Sequence, residues 1–442
     1  MVPPRSPGRR QTRGIDASHL TGVAAAATAR PGRAPVNWRT RDVASVVATA
    51  RLLAPRIGIT RVADVTGLDR IGIPVVMVVR PNARGSAVSQ GKGCDPASSL
   101  ASGLMEAIEA WHAEHLALPP REASFLAVAA DGPVLDVARL PPRRQSAWRP
   151  DLPMLWVEGR DLLGGGPVWV PHQLVHGDYR LPPPPGTSCF CASSNGLAAG
   201  SEPVEALLHA LCEVIERDAV ALWHARPADE RDATRVDLAT VDDPAATELL
   251  RRFDAADMAV AVWDVTSDVG VPAFRAEIAE RGQRLSWFHA APAVGAGCHA
   301  VAAVALCRAL TEAAQSRLTV IAGARDDLDH DAYGLHHDHP RVAHARARLL
   351  RGRTPRDFKA VPSRLGIDLA STVEVILRRL NDVGVRQVAM VDLSRPGLDV
   401  SVVRVIVPGL ETSCEHPFYM PGARARDVIG PARVRPVARR MF

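Results

Sequence analysis

Between Pro203 and His224 the chain reads as a helix that is apolar around most of its circumference and charged along one narrow line. Leu207, Leu208, Leu211, Val214, Ile215, Ala219 and Leu222 call for burial. Glu205, His209, Glu213 and Glu216 cluster within roughly 80° of one another at about 100° per residue. Arg217 and Asp218 flank that line, and Ser201 and Pro203 supply start signals at its N-terminal end. A narrow stripe on a mostly apolar helix suggests a core element with its carboxylates facing an internal cleft. Carboxylates sharing such a space repel one another unless a cation sits among them.

Two further segments repeat the pattern. From Pro96 to His115, Leu100, Leu104, Ile108, Trp111 and His115 share one face, while Ser102, Glu106 and Glu109 fall at i, i+4 and i+7. From Val301 to Leu318, Arg308, Glu312 and Gln315 take the same spacing, and Arg317 follows. For any one such helix a solvated glutamate face is the preferred reading. Narrow stripes on otherwise apolar helices point instead to a cleft lined by hard oxygen ligands. That donor set suits Mg²⁺ held by a few carboxylates and the phosphates of a substrate. Spacing alone leaves both readings open.

The surrounding sequence alternates strands with helices. Val-rich segments at Ile73–Val79, Met154–Glu158, Val168–Pro171, Met258–Asp264, Val385–Asp392 and Val400–Val407 predict strands, so the fold class is α/β or α+β. Proline-rich breaks fall at 140–153 and 182–186. No apolar run reaches the ~18 residues of a membrane span, and the Ala-rich stretch Val23 to Ala29 is a poor secretory signal. The net charge of +5 belongs to a leader: residues 1–40 carry seven arginines against Asp16 alone. That leader is expected to be a disordered tail, with residues 41–442 forming the catalytic domain. Aromatic residues are not interleaved with arginine, so nucleic-acid recognition finds no support. Seven cysteines, an odd number in a long chain, suit a reducing compartment such as the cytoplasm. Cys189 and Cys191 make a Cys-x-Cys pair that is weak as a metal signal. Lysine occurs only at Lys92 and Lys359, which marks Lys92 as a place for a compact ammonium instead of a guanidinium fork.

Common nucleotide motifs fail. Gly85 to Gly93 has five residues between Gly85 and Gly91 where a P-loop has four, and Gly93 replaces the Ser or Thr after Lys92. Gly295-Ala-Gly297-Cys-His-Ala300 fits a dinucleotide fingerprint, but no acidic residue closes a following strand; a tight turn before a helix is the simpler expectation. His330, His336, His337 and His339 lie in a loop-like stretch, Asp326 to His339, that reads either as solvated or as metal-binding.

Taken together, the motifs resemble the YcaO family. Ser193-Ser-Asn-Gly-Leu-Ala-Ala-Gly200 with Glu205-Ala-Leu-Leu-His209 and Glu213-Val-Ile-Glu-Arg-Asp218 looks like its central signature. Gly91-Lys-Gly93 with Ser102, Glu106 and Glu109 looks like its first nucleotide-binding segment, and Arg308 to Arg317 like its third. Gly58 to Asp64 and Gly67 to Pro74 resemble its entry segment. The matches run in order over roughly residues 55 to 425.

The resemblance implies a YcaO-type fold that binds ATP and Mg²⁺ in a cleft. Carried over by position, Lys92, Ser102, Glu106, Glu109, Ser201, Glu205, Glu213, Glu216, Arg217, Arg308 and Glu312 match nucleotide-site residues. Of these, Glu106, Glu109, Glu205, Glu213, Glu216 and Glu312 match metal ligands. No general acid, base or nucleophile is assigned. Ala110 stands where many relatives have Arg, and Ser201 where an Asn often ligates. The implied chemistry is ATP-dependent activation of a peptide backbone amide, completed by attack of a sulfur nucleophile (thioamide) or of a Cys, Ser or Thr side chain (azoline). The C-terminus lacks the Pro-x-Pro-x-Pro tail of many azoline-forming relatives. Val407 to Glu411 and Tyr419 to Arg424 look instead like relatives that form thioamides with a TfuA protein. A precursor peptide, a TfuA-like partner or other sulfur donor, and a homodimer are the partners the resemblance admits; a non-catalytic ATP-binding scaffold is the competing reading.

Overall fold

A computed structural model of the chain describes residues 39–282, 291–325, 339–353, 355–363 and 366–430. Residues 1–38 of the basic leader and three of the four loop histidines lie outside those residues, as does the His339 side chain. In chain order the elements are α1 (Val43–Leu53), β1 (Arg61–Asp64), β2 (Val75–Val79), β3 (Val88–Lys92), α2 (Pro96–Glu114), β4 (Arg121–Ala123), α3 (Phe125–Asp131), β5 (Met154–Asp161), β6 (Pro167–Pro171) and β7 (Leu197–Gly200). Then follow α4 (Pro203–Ala225), α5 (Ala228–Asp232), β8 (Val236–Asp237), α6 (Pro244–Ala255), β9 (Met258–Asp264), β10 (Ala273–Glu280), β11 (Ala293–Cys298), α7 (Ala302–Ala322), α8 (His339–Arg351), β12 (Arg356–Asp357), α9 (Leu369–Asp382), β13 (Ala389–Asp392), β14 (Ser401–Ile406) and α10 (Ala423–Ile429). This is a mixed helix-and-sheet fold, as expected. No described helix is long and apolar enough to cross a membrane.

Three antiparallel sheets organise the molecule. β1-β2-β3 is one, with Val75 opposite Lys92. β9-β10-β11 is the second, with Ala273 opposite Cys298. The largest runs β4-β5-β13-β14-β7, with β6 on the free edge of β5. Only β8 and β12 pair in parallel among the described strands. Each long glutamate-bearing helix lies on a different sheet: α2 on β2–β3, α4 on β7–β14, and α7 on β10–β11.

Glycine makes the helix–sheet approaches close. A Cβ on Gly91 would overlap the Ser99 carbonyl and the Gly103 amide of α2. Gly295 and Gly297, two apart and so on one face of β11, would strike the backbone of α7 at Ala309 and Ala313 and at Ala305 and Ala309. This corrects both sequence expectations for Gly295-Ala-Gly297. The glycines are in mid-strand, neither at a nucleotide-binding turn nor at a tight turn, and they let a helix backbone lie directly on a sheet. The Walker-like glycine Gly91 is likewise inside a strand.

α4 is buried around most of its surface, with Leu207, Leu208 and Leu211 fully enclosed. Burying a leucine side chain contributes roughly 1.5–3 kcal/mol, so this helix anchors the largest core cluster. Its start differs from expectation in one detail. The capping position is Glu202 with no side-chain cap, and Ser201 does not cap. Instead the Ser201 N–H donates to Glu205 Oε2 at 3.1 Å, so the carboxylate one turn on satisfies the entry amide.

Candidate functional site

The three helices open onto one cleft of about 1910 Å³, bounded also by β3, the 177–180 loop and β7. All eleven residues singled out above line it: Lys92, Ser102, Glu106, Glu109, Ser201, Glu205, Glu213, Glu216, Arg217, Arg308 and Glu312. They come from parts of the chain as far apart as β3 and α7. The volume exceeds the roughly 300–1,000 Å³ of a site for one drug-sized ligand, leaving room for a second molecule beside a nucleotide.

The glutamates share a device. Glu106 Oε1 accepts the Gln90 N–H of β3 at 3.0 Å. Glu109 Oε1 accepts the Ala199 N–H of β7 at 2.8 Å. Glu312 Oε1 accepts the Ala296 N–H of β11 at 3.2 Å. In each case one oxygen is held by a strand amide, which fixes the carboxylate plane; the second oxygen of Glu312 takes the Lys92 ammonium. Because the three strands belong to three sheets, the amides place carboxylates that their helices only aim.

Electrostatics divide the group. Burial raises the Glu106 carboxyl and pushes Glu109 well above the usual range; the backbone bonds oppose this without cancelling it. Burial raises Glu213 to about 7, against the pull of Arg217, and raises Glu216 as well. Glu312 is the exception: burial acts upward, but the Lys92 ammonium and Arg217 outweigh it and hold the carboxyl at about 2. Lys92 Nζ lies 2.6 Å from Glu312 Oε2. Burial acts to lower Arg217, but Glu216, Glu312 and Glu213 together raise it; Glu216 Oε1 is 3.7 Å away and Glu213 Oε1 4.0 Å.

Carboxyls whose ionisation is disfavoured by burial are poised for a cation. Yet among the described residues no three His, Cys, Asp or Glu side chains converge closely enough to cage an ion alone. That is the donor arrangement Mg²⁺ favours, since it keeps waters and takes phosphate oxygens alongside one or two carboxylates. In the same cleft, near Glu216 and Glu312, Arg308 Nε is buried with no hydrogen-bond partner, and Arg308 has no ion-pair partner among the described residues. A guanidinium N–H without a partner, near raised carboxyls, would suit the phosphates of a Mg²⁺-nucleotide.

Several cleft residues lay outside the site assignment, Gln315 of the α7 stripe among them. Gln315 Nε2 donates to the Gln90 carbonyl at 3.0 Å and Thr319 Oγ1 to Gln90 Oε1 at 2.6 Å, tying α7 to β3 below Lys92. Arg404 of β14 is buried, donates Nε to the Leu174 carbonyl at 2.8 Å and Nη2 to the Ser193 carbonyl, and lines the cleft beside Glu213. Its signal was available: a lone charge inside Val402-Val-Arg-Val-Ile406. The Cys189/Cys191 pair lies away from the cleft, and burial raises both thiols.

The C-terminal motifs turn inward onto α4. The Glu411 carboxylate accepts Tyr419 O–H and Gly422 N–H, each at 2.8 Å, and Ala425 N–H at 2.9 Å. Arg424 grips Asp218 with two bonds, Nε to Oδ1 at 2.9 Å and Nη2 to Oδ2 at 3.0 Å. Asp218 follows Arg217 directly, so this clasp braces the helix beside the charged cluster.

Comparison with known proteins agrees with this geometry. Residues 90–411 match the family described as YcaO cyclodehydratase, ATP- and Mg²⁺-binding. An uncharacterized protein in the tfuA 3′ region of Rhizobium leguminosarum bv. trifolii is 38% identical over 381 residues, covering 84% of this chain and 88% of its own. YcaO from Methanopyrus kandleri, solved bound with AMPPCP and Mg²⁺, shares the fold at a TM-score of 0.64 and 24% identity, over 84% of this chain and 92% of that one. A heterocyclase in complex with substrate and cofactor aligns at a TM-score of 0.71 and 21% identity over 90% of this chain, which spans 56% of that longer protein.

Proposed function

The chain belongs to the YcaO family, and from that premise we propose that it activates a peptide backbone amide with ATP and makes a thioamide. The family is ATP- and Mg²⁺-binding, and the chain uses both. Bound together they supply an electrophilic phosphoryl group with its charge screened.

The chain's own residues then divide the work. Glu106, Glu109, Glu205, Glu213, Glu216 and Glu312 would hold Mg²⁺. Arg217, Arg308 and Lys92 would offset phosphate charge, and Ser102 and Ser201 would offer hydroxyls to the nucleotide. Amide oxygen is a poor nucleophile, so the demand on the protein is alignment and charge placement. The strand amides that pin Glu106, Glu109 and Glu312 serve that demand by fixing ligand planes before anything binds. The observation that carries the reading is the meeting of three separate glutamate helices at one cleft whose Arg308 Nε has no partner.

Thioamide formation, with a TfuA-like partner, is favoured over azoline formation by the relative encoded in a tfuA 3′ region and by the C-terminal motifs. The heterocyclase likeness keeps azoline synthesis as the second reading. A candidate precursor peptide, incubated with the chain, its partner, ATP and Mg²⁺ and weighed by mass spectrometry, separates them. Exchange of one oxygen for sulfur is expected; loss of one water instead overturns the thioamide reading. A chain that binds Mg²⁺-nucleotide but never modifies peptide would be the scaffold that Ala110 and Ser201 keep in view.

A further inference from the structure

Just after β6 the chain places a histidine against the cleft wall. His172–Leu174 forms a single 3₁₀ turn, and the His176 ring stacks on His172 with centroids 4.6 Å apart and planes at 17°. Asp178 N–H donates to His176 Nδ1 at 3.1 Å. A ring nitrogen that accepts carries no proton, so the proton of the neutral imidazole is on Nε2. His176 is 7% exposed and lines the cleft. Among the described residues Nε2 has no hydrogen-bond partner, and it is not sealed from solvent. The imidazole therefore offers the cleft one unused N–H.

The ring is held in place from several sides. Gly177 N–H donates to the Ala113 carbonyl at 2.8 Å, and Tyr179 N–H to the Arg84 carbonyl at 2.9 Å. Arg84 Nη1 in turn donates to the Glu114 carbonyl at 2.9 Å, so the segment is pinned to the C-terminal end of α2. Arg404, 4% exposed and also lining the cleft, donates Nε to the Leu174 carbonyl at 2.8 Å and so grips the same turn. Burial lowers the His176 imidazole, against the pull of Asp178, and the Arg404 cation adds to the lowering. A rigid, neutral donor results.

A peptide drawn into a cleft loses water from its carbonyls, and each then needs a donor. A neutral N–H serves a carbonyl without attracting phosphate as a further cation would. We propose that His176 is a peptide-binding residue, its Nε2–H donating to a backbone carbonyl of the substrate in the corner formed by the 172–180 segment, Arg404 and the C-terminal end of α2. The proposal rests on the reading that the chain acts on a peptide, whichever product it makes, and it adds the place where that peptide lies. Glu213 acts on Arg404, which sets this corner next to the carboxyls assigned to Mg²⁺. The Tyr179 ring, 55% exposed and 6.1 Å from the imidazole, offers a surface to a side chain of the same peptide.

The test uses the full-length chain labelled with ¹⁵N-histidine and loaded with Mg²⁺ and a non-hydrolysable ATP analogue. The His176 ring signals are identified by their loss in His176→Gln, and should show the proton on Nε2. The probe is acetyl-hexaglycine amide, a peptide of backbone alone. Its addition should move the His176 Nε2–H resonance downfield, while inorganic phosphate should not. His176→Phe keeps a ring on His172 but has no donor, and should bind the probe about 5- to 10-fold more weakly, read from the peptide's own NMR signals. His176→Gln, whose amide can accept from Asp178 and still donate, should restore most of the affinity. Mg²⁺-nucleotide affinity close to that of the wild type in both variants shows the cleft intact. A His176 signal that the probe leaves in place, an equal displacement by phosphate, or equal probe affinity in wild type and His176→Phe overturns the inference. Each of those results leaves the peptide reading standing, because that reading fails in the mass assay, where a nucleotide-binding chain would modify no peptide.

Discussion

Lys92 Nζ donates to Glu312 Oε2 at 2.6 Å, joining the last residue of β3 to the middle of α7 across the mouth of the cleft. In a chain with almost no lysine, the compact ammonium sits where a guanidinium fork would need more room. Each side chain of the pair is 23% exposed, so the ammonium both offsets the Glu312 charge and faces the cleft. Lys92→Met should therefore cost some stability, because it leaves Glu312 without its ammonium partner. It should weaken Mg²⁺-nucleotide binding by about 10- to 100-fold, the equivalent of one charge-assisted bond. Isothermal titration with a non-hydrolysable ATP analogue reads both the affinity and whether the variant is folded.

Burial raises Glu213 to about 7, so near neutrality its carboxyl is close to half protonated before anything binds. A metal ligand must be ionised, and Mg²⁺ binding should expel that proton. Because the folded-state value lies above the ordinary one near 4.5, the protonated fraction grows as pH falls through 7. Affinity for Mg²⁺-nucleotide should accordingly rise from pH 6 to pH 8. Titration at pH 7 in two buffers of different ionisation heat should show net proton release. Glu213→Gln should bind more weakly, with release reduced; an unchanged proton count would remove Glu213 from the ligand set.

Gly91 and Gly297 are predicted to be intolerant of a methyl group for packing alone. A Cβ at either would meet backbone of a facing helix, which cannot swing aside as a side chain can. Gly91→Ala and Gly297→Ala should each cost about 1–3 kcal/mol or more, read as a shifted denaturation midpoint. Gly67→Ala, where a Cβ meets nothing within 4 Å, is the control and should lie near wild type.

Those same glycines show where sequence reading stops. The helices were legible because leucine at helical spacing has one physical meaning. Pro96–Glu114 and Pro203–Ala225 came within a residue of the expected ends, and β9 matched its expected span. Strands β3, β7 and β11 were not legible. Val-Ser-Gln-Gly-Lys, Leu-Ala-Ala-Gly and Ala-Val-Gly-Ala-Gly-Cys carry too little β-branched bulk to announce a strand, because the facing helix occupies the space side chains would fill. The site was half legible for a related reason. The glutamate stripes gave the residues, but the amides of Gln90, Ala199 and Ala296 that orient them are backbone groups with no side-chain signature.

The Arg424–Asp218 clasp makes the last prediction. Asp218 is fully buried, accepts two guanidinium bonds and the Glu411 N–H at 2.9 Å, and follows Arg217 in the helix. Removing the cation alone would strand a buried carboxylate, whereas removing both charges would not. Arg424→Met should therefore destabilise by about 3–5 kcal/mol, and Asp218→Asn with Arg424→Met by distinctly less, the sign of coupling between neighbours. Urea denaturation of the two single variants and the double variant gives the cycle. Arg424 also touches Asp268 at 2.5 Å, an exposed partner whose loss should matter little, so Asp268→Asn should stay within about 0.5 kcal/mol of wild type. If the clasp braces α4, the stabilised double variant should still bind Mg²⁺-nucleotide less tightly than wild type, because Arg217 and Glu213 would have lost their backing. Equal affinity in the two would confine the clasp to folding.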